Sequence, residues 1–384
     1  MWKVQLFKLN YDQRETQAVA DVVNSGWITM GEKTLEFENQ FSQYLGKDVR
    51  AAALSSGTAA LHLALLALGV GPGDEVIVPG LTFVADINVV KMVGATPVLA
   101  DSVSTDDWNI SPAAIAEVIT AKTKAVIAVH FAGFPCAMDE IRAVLDDRRN
   151  KTGQEIFLIE DAAHAPGAEY RGQKCGTIGD IGCFSFFTNK NLSVGEGGMA
   201  TTRSEALDQK LRHLRSHGMT SLTLDRHKGR SISYDVVAPG LNYRIDEMRA
   251  AIGLVQLAKL EEANEQRQKL FQHYCSALAS VPEVTVPFLG FENVLPSFHI
   301  FPVLLPKGCD RPAVIASMKG EGVQTSIHYP GFQNFTAFRN EGLADTPVAA
   351  EIAERELTLP LYPTMELDQV DLVVDALKRA LAKG

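Results

Sequence analysis

The chain contains 384 residues, of which 46% are hydrophobic and 21% are charged, and its formal net charge is −10 at pH 7. A chain of this length and composition can bury the cores of a large α/β domain and a smaller second domain, which excludes a disordered protein. The negative charge argues against general nucleic-acid binding, because such binding depends on clustered basic groups that release phosphate counterions.

The first 45 residues carry two helical patterns and are expected to form an arm packed against the rest of the chain. From about residue 50 to residue 215, apolar blocks of strand length alternate with amphipathic runs of helix length. This pattern predicts a mostly parallel central sheet with helices on both faces. The predicted strands are 50–54, 75–78, 96–99, 125–129, 156–159, 181–187 and 198–202. The predicted helices are 58–68, 84–93, 138–145 and 204–216.

Residues 217–244 form a connection of unusual length, rich in glycine, serine and charge, so we expect a functional loop or a subunit contact there. A long amphipathic helix is predicted over 246–277, and strands follow near Val284, at 299–305 and at 324–328. The chain is therefore expected to divide into residues 1–245, the arm with the large domain, and residues 246–384, the linking helix with a small C-terminal α/β domain.

The five cysteines are odd in number and include no CxxC pair, which favours neither a disulfide framework nor a zinc site. We therefore expect reduced thiols and no metal. No apolar stretch approaches the roughly 20 residues that span a bilayer, and the N-terminus has no signal-peptide apolar region. A cytoplasmic protein that binds small molecules, and neither a membrane nor a nucleic acid, is the expectation.

The residues Ser55-Ser56-Gly57-Thr58 lie where the first predicted strand passes into a helix. Such a turn aims free backbone N–H groups and the positive end of the helix dipole at one point, where a phosphate can bind without a lysine. Serine and threonine are also ordinary helix caps, so capping alone is the alternative explanation.

Asp161 follows the apolar run Ile156-Phe-Leu-Ile, and His164 lies three residues further on. The carboxyl end of a strand is where open α/β sheets bind ligands. A carboxylate there can pair with the protonated pyridine nitrogen of pyridoxal 5'-phosphate (PLP), and His164 can contact or stack on the ring. The alternative is an aspartate that caps the next helix beside a core histidine.

Lys190 follows an aromatic strand and precedes the glycine-rich turn Gly195-Glu-Gly-Gly198. In an enclosed pocket, desolvation and a nearby cation would lower the pKa of this amine and make it a better Schiff-base nucleophile. An isolated lysine is usually a solvated surface charge. A phosphate turn, a strand-end aspartate and a lysine after a strand nevertheless follow the order expected of fold type I PLP enzymes.

The chain resembles the DegT/DnrJ/EryC1/StrS family of PLP-dependent sugar aminotransferases over essentially its whole length. The matching blocks are Ser25-Gly-Trp-Ile-Thr29, Ser55-Ser-Gly-Thr-Ala-Ala-Leu61, Val78-Pro-Gly-Leu-Thr-Phe83, Glu160-Asp-Ala-Ala-His164, Phe184-Ser-Phe186, Lys190-Asn-Leu192 with Gly195-Glu-Gly-Gly198, and Asn242-Tyr-Arg244. The resemblance implies a fold type I structure whose large domain binds PLP. It implies that Ser56, Gly57 and Thr58 hold the phosphate with Ser185, and that Phe83 stacks on the ring.

The same resemblance implies that Asp161 pairs with the ring nitrogen, that His164 lies near the ring oxygen, and that Lys190 carries the cofactor as a Schiff base. It also implies that Asn242 reaches the phosphate of the neighbouring subunit, and hence a homodimer with shared active sites. Family members that act as dehydratases have histidine in place of the lysine, so Lys190 favours transamination.

The acceptor side follows less directly from the resemblance, which places Trp27, Thr29, Arg244, His328 and Tyr329 beside the substrate. After Tyr329 this chain reads Pro-Gly-Phe-Gln, where relatives commonly continue Pro-x-His. Trp27 could equally pack on the core as part of the arm, and His328 could be structural.

The implied reaction moves an amino group from glutamate or glutamine to a keto-sugar, in amino-sugar biosynthesis for a surface polysaccharide or natural product. The basic cluster Asp225-Arg-His-Lys-Gly-Arg230 could contact the diphosphate of a nucleotide-linked sugar, or be an ordinary solvated loop. The alternatives are a sugar dehydratase or aminocyclitol aminotransferase of the same family, and a non-catalytic PLP-binding regulator. The sugar, the carbon that is aminated, the donor and any assembly beyond a dimer stay open.

Overall fold

The computed structural model describes residues 2–221, 229, 233–339 and 342–382. Its strands in the first part of the chain are β1 (Arg50–Leu54), β2 (Glu75–Pro79), β3 (Thr96–Ala100), β4 (Thr123–Val129), β5 (Phe157–Asp161), β6 (Glu169–Tyr170), β7 (Gln173–Lys174), β8 (Ile181–Ser185) and β9 (Gly198–Thr202). Seven of them form the central sheet in the order β1-β9-β8-β5-β4-β2-β3. β9 is antiparallel to both of its neighbours, and the other strands run parallel, as predicted.

Helices cover both faces of this sheet, which is why its strands are almost continuously apolar. They are α3 (Gly57–Ala67), α4 (Ala85–Met92), α5 (Pro112–Val118), α6 (Met138–Thr152) and α7 (Glu205–Arg215). Successive residues of β4 point into different cores. Ile127 and Val129 pack with α3 and α4, whereas Val126 and Ala128 pack with α6. Among these elements, α5, β6 and β7 lie outside the predicted set.

The N-terminal arm consists of α1 (Gln13–Ser25) and α2 (Glu32–Leu45), which pack against the long helix α8 (Glu247–Leu278). The first turn of α2 is capped by Glu247, a residue of α8. The backbone N–H groups of Gly31 and Thr34 each donate to Glu247 Oε1 over 2.8 Å. On α1, Lys259 Nζ binds the buried Glu15 carboxylate at 2.5 Å. These buried charge-assisted contacts attach the arm to the linking helix.

The C-terminal part contains β10 (Val294–Leu295), β11 (Phe301–Leu304), α9 (Arg311–Gly320), α10 (Pro347–Arg355), β12 (Glu356–Leu359) and α11 (Leu367–Leu381). β11 and β12 form an antiparallel pair, and the ring of Phe301 stacks on Tyr274 of α8 at 4.3 Å. The prediction of full strands near Val284 and at 324–328 is wrong. Those segments make only the isolated bridges Thr285–Leu304 and Ser326–Thr358 before the backbone turns away.

In the described part of the chain, no helix combines the length and apolar character that crossing a membrane requires. All five cysteines are free thiols. Cys136, Cys175 and Cys183 are buried, and Cys275 and Cys309 are half-buried.

Candidate active site

A cavity of about 360 Å³ opens at the carboxyl edge of the central sheet. The strands converge on it: Ser56 follows β1, Thr82 follows β2, Val129 ends β4, Asp161 ends β5 and Ser185 ends β8. This is the edge where open α/β sheets bind ligands. The predicted site residues that line the cavity are Ser56, Gly57, Thr58, Phe83, Asp161, His164, Ser185, Lys190, His328 and Tyr329.

The turn from β1 into α3 presents a helix N-terminus to the cavity. Ser56 Oγ accepts a hydrogen bond from the backbone N–H of Ala59 over 3.0 Å, so the expected helix cap is present. A Cβ atom on Gly57 would lie 2.8 Å from Ser185 Cβ, so the close contact between the turn and β8 requires glycine. The positive end of α3 and the hydroxyl groups of Thr58 and Ser185 therefore meet at one point, which suits an anion.

Asp161 ends β5 and is a buried residue, with an exposed fraction of 8%. Its Oδ1 accepts the backbone N–H of Ala163 over 2.9 Å, so part of the carboxyl group has the local capping role that the sequence left open. Burial raises the pKa of Asp161, and the neighbouring Lys190 cation opposes that shift. Asp161 lines the cavity, where it can pair with a cationic group of a ligand.

Lys190 projects from a tight turn after β8. Its backbone N–H donates to Phe187 O over 2.9 Å, and the next side chain, Asn191, is fixed by bonds from its Nδ2 to Asn264 Oδ1 and Ser297 O at 2.8 and 2.7 Å. Burial lowers the pKa of Lys190 to about 8. The charge that acts on the amine is the Asp161 carboxylate, which raises the pKa, rather than the cation that we expected.

At pH 7 a pKa of about 8 leaves about a tenth of the Lys190 amine neutral, far more than an ordinary lysine would offer. A neutral amine beside a buried carboxylate can act as a nucleophile and as a base.

His164 and Tyr329 form a fixed pair on the cavity wall. The backbone N–H of Ala132 donates to His164 Nδ1 over 3.2 Å, and His164 Nε2 lies 3.1 Å from Tyr329 Oη. Burial and the nearby Lys190 charge hold the pKa of His164 well below its ordinary value, so the ring is neutral. Since Nδ1 is an acceptor, the ring proton is on Nε2 and donates to Tyr329 Oη. The hydroxyl proton of Tyr329 is then left to serve a ligand.

His328 lines the cavity and is hydrogen-bonded to two residues of β12. Its backbone N–H donates to Glu356 Oε2 over 2.7 Å, and its Nδ1 lies 2.8 Å from Thr358 Oγ1. Thr358 Oγ1 in turn is hydrogen-bonded to Glu356 Oε1. Burial raises the pKa of Glu356 to about 8 and, with the Lys190 charge, lowers that of His328 to about 3. His328 is therefore neutral and has the structural hydrogen bonds of one interpretation, while its contact with a substrate stays a prediction.

Four predicted residues do not line the cavity in the single chain. The Trp27 indole lies against Gly31 in the arm, and Thr29 is exposed. Asn242 is exposed, with its backbone bridged to Ser216, and Arg244 is half-buried. For Asn242 the prediction concerns a second subunit, which a single chain does not test.

Several lining residues lie outside the predicted set: Leu61, Thr82, Ala85, Val129, Ala163, Phe187, Asn189 and Glu196. Thr82 and Glu196 belong to blocks on which the family resemblance rests, and Asn189 precedes Lys190, so those blocks were the available signal. In the basic cluster, residues 225–228 and 230 lie outside the described residues.

His130, Glu160 and Cys175 place potential metal-binding atoms close together beneath the cavity. Both Glu160 oxygens already accept hydrogen bonds. His130 Nε2 and Gly176 N bind one oxygen at 2.9 and 2.7 Å, and Ile178 N and Gly179 N bind the other at 2.7 and 2.6 Å. The group therefore acts as a hydrogen-bonded anchor for the end of β5.

The chain is similar to known proteins over nearly its whole length. The profile of the DegT/DnrJ/EryC1/StrS aminotransferase family matches residues 10–378. The spore coat polysaccharide biosynthesis protein SpsC of Bacillus subtilis is 37% identical over 383 residues, covering 97% of this chain and 95% of SpsC.

Two solved proteins share the fold. Spr1654 of Streptococcus pneumoniae, 32% identical, superposes with a TM-score of 0.90 in its PMP form, over 97% of this chain and 98% of that chain. Its PLP form gives 0.89, over 97% of each chain. PseC of Helicobacter pylori, an aminotransferase involved in the biosynthesis of pseudoaminic acid, gives 0.90 at 25% identity, over 99% of this chain and 100% of that chain.

Proposed function

The chain belongs to the DegT/DnrJ/EryC1/StrS aminotransferase family, and on that premise we propose that it transfers an amino group from glutamate or glutamine to a nucleotide-linked keto-sugar. It is a PLP-dependent aminotransferase of fold type I within a family of sugar aminotransferases. The observation that carries the proposal is the half-buried Lys190, which lines the cavity with Asp161 and whose amine pKa is lowered by desolvation to about 8.

The residues of the cavity fit PLP. The N-terminus of α3, with Gly57 pressed against Ser185, suits the phosphate, and Phe83 at the rim suits a ring face. When bound, PLP supplies an aldehyde that links to an amine and a cationic ring that accepts the electron pair left by a deprotonated carbon. We assign the phosphate to Ser56, Gly57, Thr58 and Ser185.

Two side chains would carry the proton transfers. With its amine free, Lys190 would move the proton of the donor's α-carbon to the carbon that carries the PLP aldehyde, and in the second half-reaction it would move a proton from that carbon to the acceptor carbon. Asp161 keeps a proton on the ring nitrogen by pairing with the cationic form. The two halves share one site, so ping-pong kinetics are expected.

The proposal of a sugar acceptor draws on the named relatives, SpsC in spore coat polysaccharide biosynthesis and PseC in the biosynthesis of pseudoaminic acid. On the acceptor side, Tyr329 offers a hydroxyl proton and His328 a neutral ring to sugar hydroxyl groups. We propose Trp27, Thr29 and Arg244 as further acceptor contacts once the arm and a second subunit close the site.

A homodimer with shared sites is part of the proposal. Phe83 and Phe187 line the cavity yet are 52% and 43% exposed in the single chain, which suits a rim that another subunit covers. Asn242 is exposed and does not line the cavity of its own chain. In a shared-site dimer, mixing Lys190→Ala with Asn242→Ala subunits creates one intact site, so activity returns. If each chain supplied its own Asn242, mixing would restore nothing.

The decisive experiment follows the nitrogen atom. The PLP-loaded protein is treated with ¹⁵N-glutamate or with glutamine labelled with ¹⁵N at its α-amino group, freed of donor, and then given keto-sugars with and without a linked nucleotide. Recovery of a ¹⁵N-amino-sugar supports the proposal. A ¹⁵N-aminocyclitol from a keto-cyclitol, loss of a sugar hydroxyl without nitrogen transfer, or no response to either donor would replace it with the cyclitol, dehydratase or regulator alternative.

A further inference from the structure

Asp86 is a fully buried carboxyl group directly behind the cavity that the proposed reaction does not use. It lies on α4, with an exposed fraction of 0%. Thr82 Oγ1 donates to its Oδ2 over 2.5 Å. Its Oδ1 is buried, and no donor from the described residues reaches it. The carboxyl groups of Asp86 and Asp161 are close enough that each shifts the pKa of the other.

Two carboxylates cannot hydrogen-bond to each other, because both are acceptors only. A buried pair in contact therefore keeps one proton, which lies on the member with the poorer support for negative charge. Asp161 receives the backbone N–H of Ala163 and faces the Lys190 charge, whereas the one donor that Asp86 receives from the described residues is the Thr82 hydroxyl.

Burial and the charge of Asp161 raise the pKa of Asp86 well above its ordinary value. The other titratable groups that face the pair are Cys183 and Tyr329, and burial raises the pKa of each. Both are neutral near pH 7, so they do not remove the need for a proton between the two carboxyl groups.

We propose that Asp86 is a positioning residue that stays protonated and donates a hydrogen bond to Asp161, which keeps Asp161 ionised and aimed into the cavity. The inference rests on the proposed role of Asp161 opposite the ring nitrogen. A hydrogen-bond donor behind Asp161 lowers the basicity of the Asp161 carboxylate. The proton between Asp161 and the PLP ring nitrogen would therefore stay on the ring nitrogen.

Two substitutions of similar size separate donation from packing. In Asp86→Asn the amide can donate to Asp161 while its oxygen accepts from Thr82, which reproduces the protonated acid. In Asp86→Leu no donor remains. The rate of the half-reaction with the amino-acid substrate should fall about tenfold or more in Asp86→Leu, which is the scale of a hydrogen bond to a charged group. In Asp86→Asn this rate should stay close to that of wild type. Equal losses in both variants would contradict donation by Asp86.

The proton on Asp86 can be measured without an activity assay. Unfolding of the cofactor-free protein at pH 7 is measured by calorimetry in two buffers of different ionisation enthalpy. A protonated Asp86 releases its proton on unfolding, since the unfolded group is ionised. We expect the releases from Asp86→Asn and from Asp86→Leu each to be one proton smaller than that from wild type.

The matched control is Asp107→Asn, because Asp107 is a buried aspartate outside the cavity lining whose pKa burial raises only to about 6. Its proton release should match that of wild type closely. If Asp86→Leu released as many protons as wild type, Asp161 would be the protonated member and the proposal would be overturned. This result is independent of catalysis, so a failed aminotransferase assay and a failed proton count are distinguishable.

Discussion

The cavity has two sides that are built differently. The sheet side consists of Ser56, Gly57, Thr58, Asp161, Ser185 and Lys190, which lie at or just after strand ends. The loop side consists of His328 and Tyr329, which follow a segment with a single bridging residue, Ser326. Ladder hydrogen bonds hold the strands that end at the sheet side, and the Asn191 side chain holds the turn of Lys190. Side chains from β12 and from His164 position the loop side.

This difference implies that the two sides of the cavity have different functions. A backbone ladder fixes atoms independently of side-chain protonation, which suits a cofactor that must be held in one place through both half-reactions. Side-chain hydrogen bonds can respond to substrate and to pH, which suits recognition of an acceptor. Substitutions on the sheet side should therefore affect both half-reactions, and those on the loop side mainly the second.

The largest effect is expected for Lys190→Ala. Removing the only proposed nucleophile and base should abolish covalent capture of PLP and lower turnover by about 10⁴-fold or more. Absorbance of the PLP-loaded protein and borohydride labelling measure the link directly. Lys122→Ala, at an exposed lysine beside the opposite end of β4, is the control and should behave as wild type. If borohydride treatment labelled another lysine in the wild-type protein, Lys190 would not be the residue that links to PLP.

Next in size is Asp161→Asn. The amide oxygen can still accept the Ala163 N–H, so the fold should persist while the charge opposite the ring nitrogen is lost. The single-turnover rate with glutamate should fall at least about a hundredfold, the scale on which preorganised electrostatic contacts act. An unchanged rate would show that the carboxylate serves only the end of β5.

Gly57→Ala should have a smaller effect, confined to cofactor binding. The new Cβ would lie 2.8 Å from Ser185 Cβ and 3.2 Å from Ser185 Cα, so the N-terminus of α3 must shift away from β8. We expect PLP affinity to fall about tenfold or more, because overpacking of this kind costs about 1–3 kcal/mol. Gly71→Ala is the matched control, since its Cβ would meet only Val93 O at 3.9 Å. Equal affinities in the two variants would argue against a phosphate site at this turn.

The two sides also differ in how much of them the sequence predicts. Ser56, Asp161 and Lys190 each follow a short apolar block, so local patterning gives both the strand and the end at which the side chain is placed. The segment 324–328 has a similar apolar pattern, yet only Ser326 pairs, because contacts to Glu356 and Thr358 from a distant strand determine its path.

Asp86 illustrates a different limit of sequence reasoning. It lies inside a helix, carries no motif of its own, and becomes significant only where it meets Asp161 in space. Likewise, the arm position of Trp27 against Gly31 depends on how α2 docks on Glu247, which neither segment reveals alone.

The smallest expected effect, and the one most specific to the loop side, concerns Glu356. Burial raises its pKa from 4.5 to about 8, while the Arg311 charge opposes the rise. Because the folded pKa lies above the ordinary one, the stability contributed by the neutral carboxyl group is full below about pH 4.5 and is lost as the pH rises toward 8. Glu356→Gln should remove this pH dependence of unfolding.

The same proton sets the tautomer of His328. Below pH 8, Glu356 is protonated, and since Oε2 accepts the His328 backbone N–H, its proton lies on Oε1 and points to Thr358 Oγ1. Thr358 then donates to His328 Nδ1, which leaves Nε2 as a donor. When Glu356 ionises, Thr358 donates to the carboxylate, His328 Nδ1 donates to Thr358, and Nε2 becomes an acceptor.

Glu356→Gln keeps an amide donor toward Thr358 at every pH and should therefore hold His328 in the donor form. Wild type should show a change of about two- to fivefold in acceptor KM between pH 7 and pH 9, because one neutral hydrogen bond contributes about 0.5–1.5 kcal/mol. The glutamine variant should show no such change, and the half-reaction with glutamate should be alike in both proteins. A pH-dependent donor half-reaction that the substitution abolishes would mean that the loop side also acts on the cofactor, and the division between the two sides would fail.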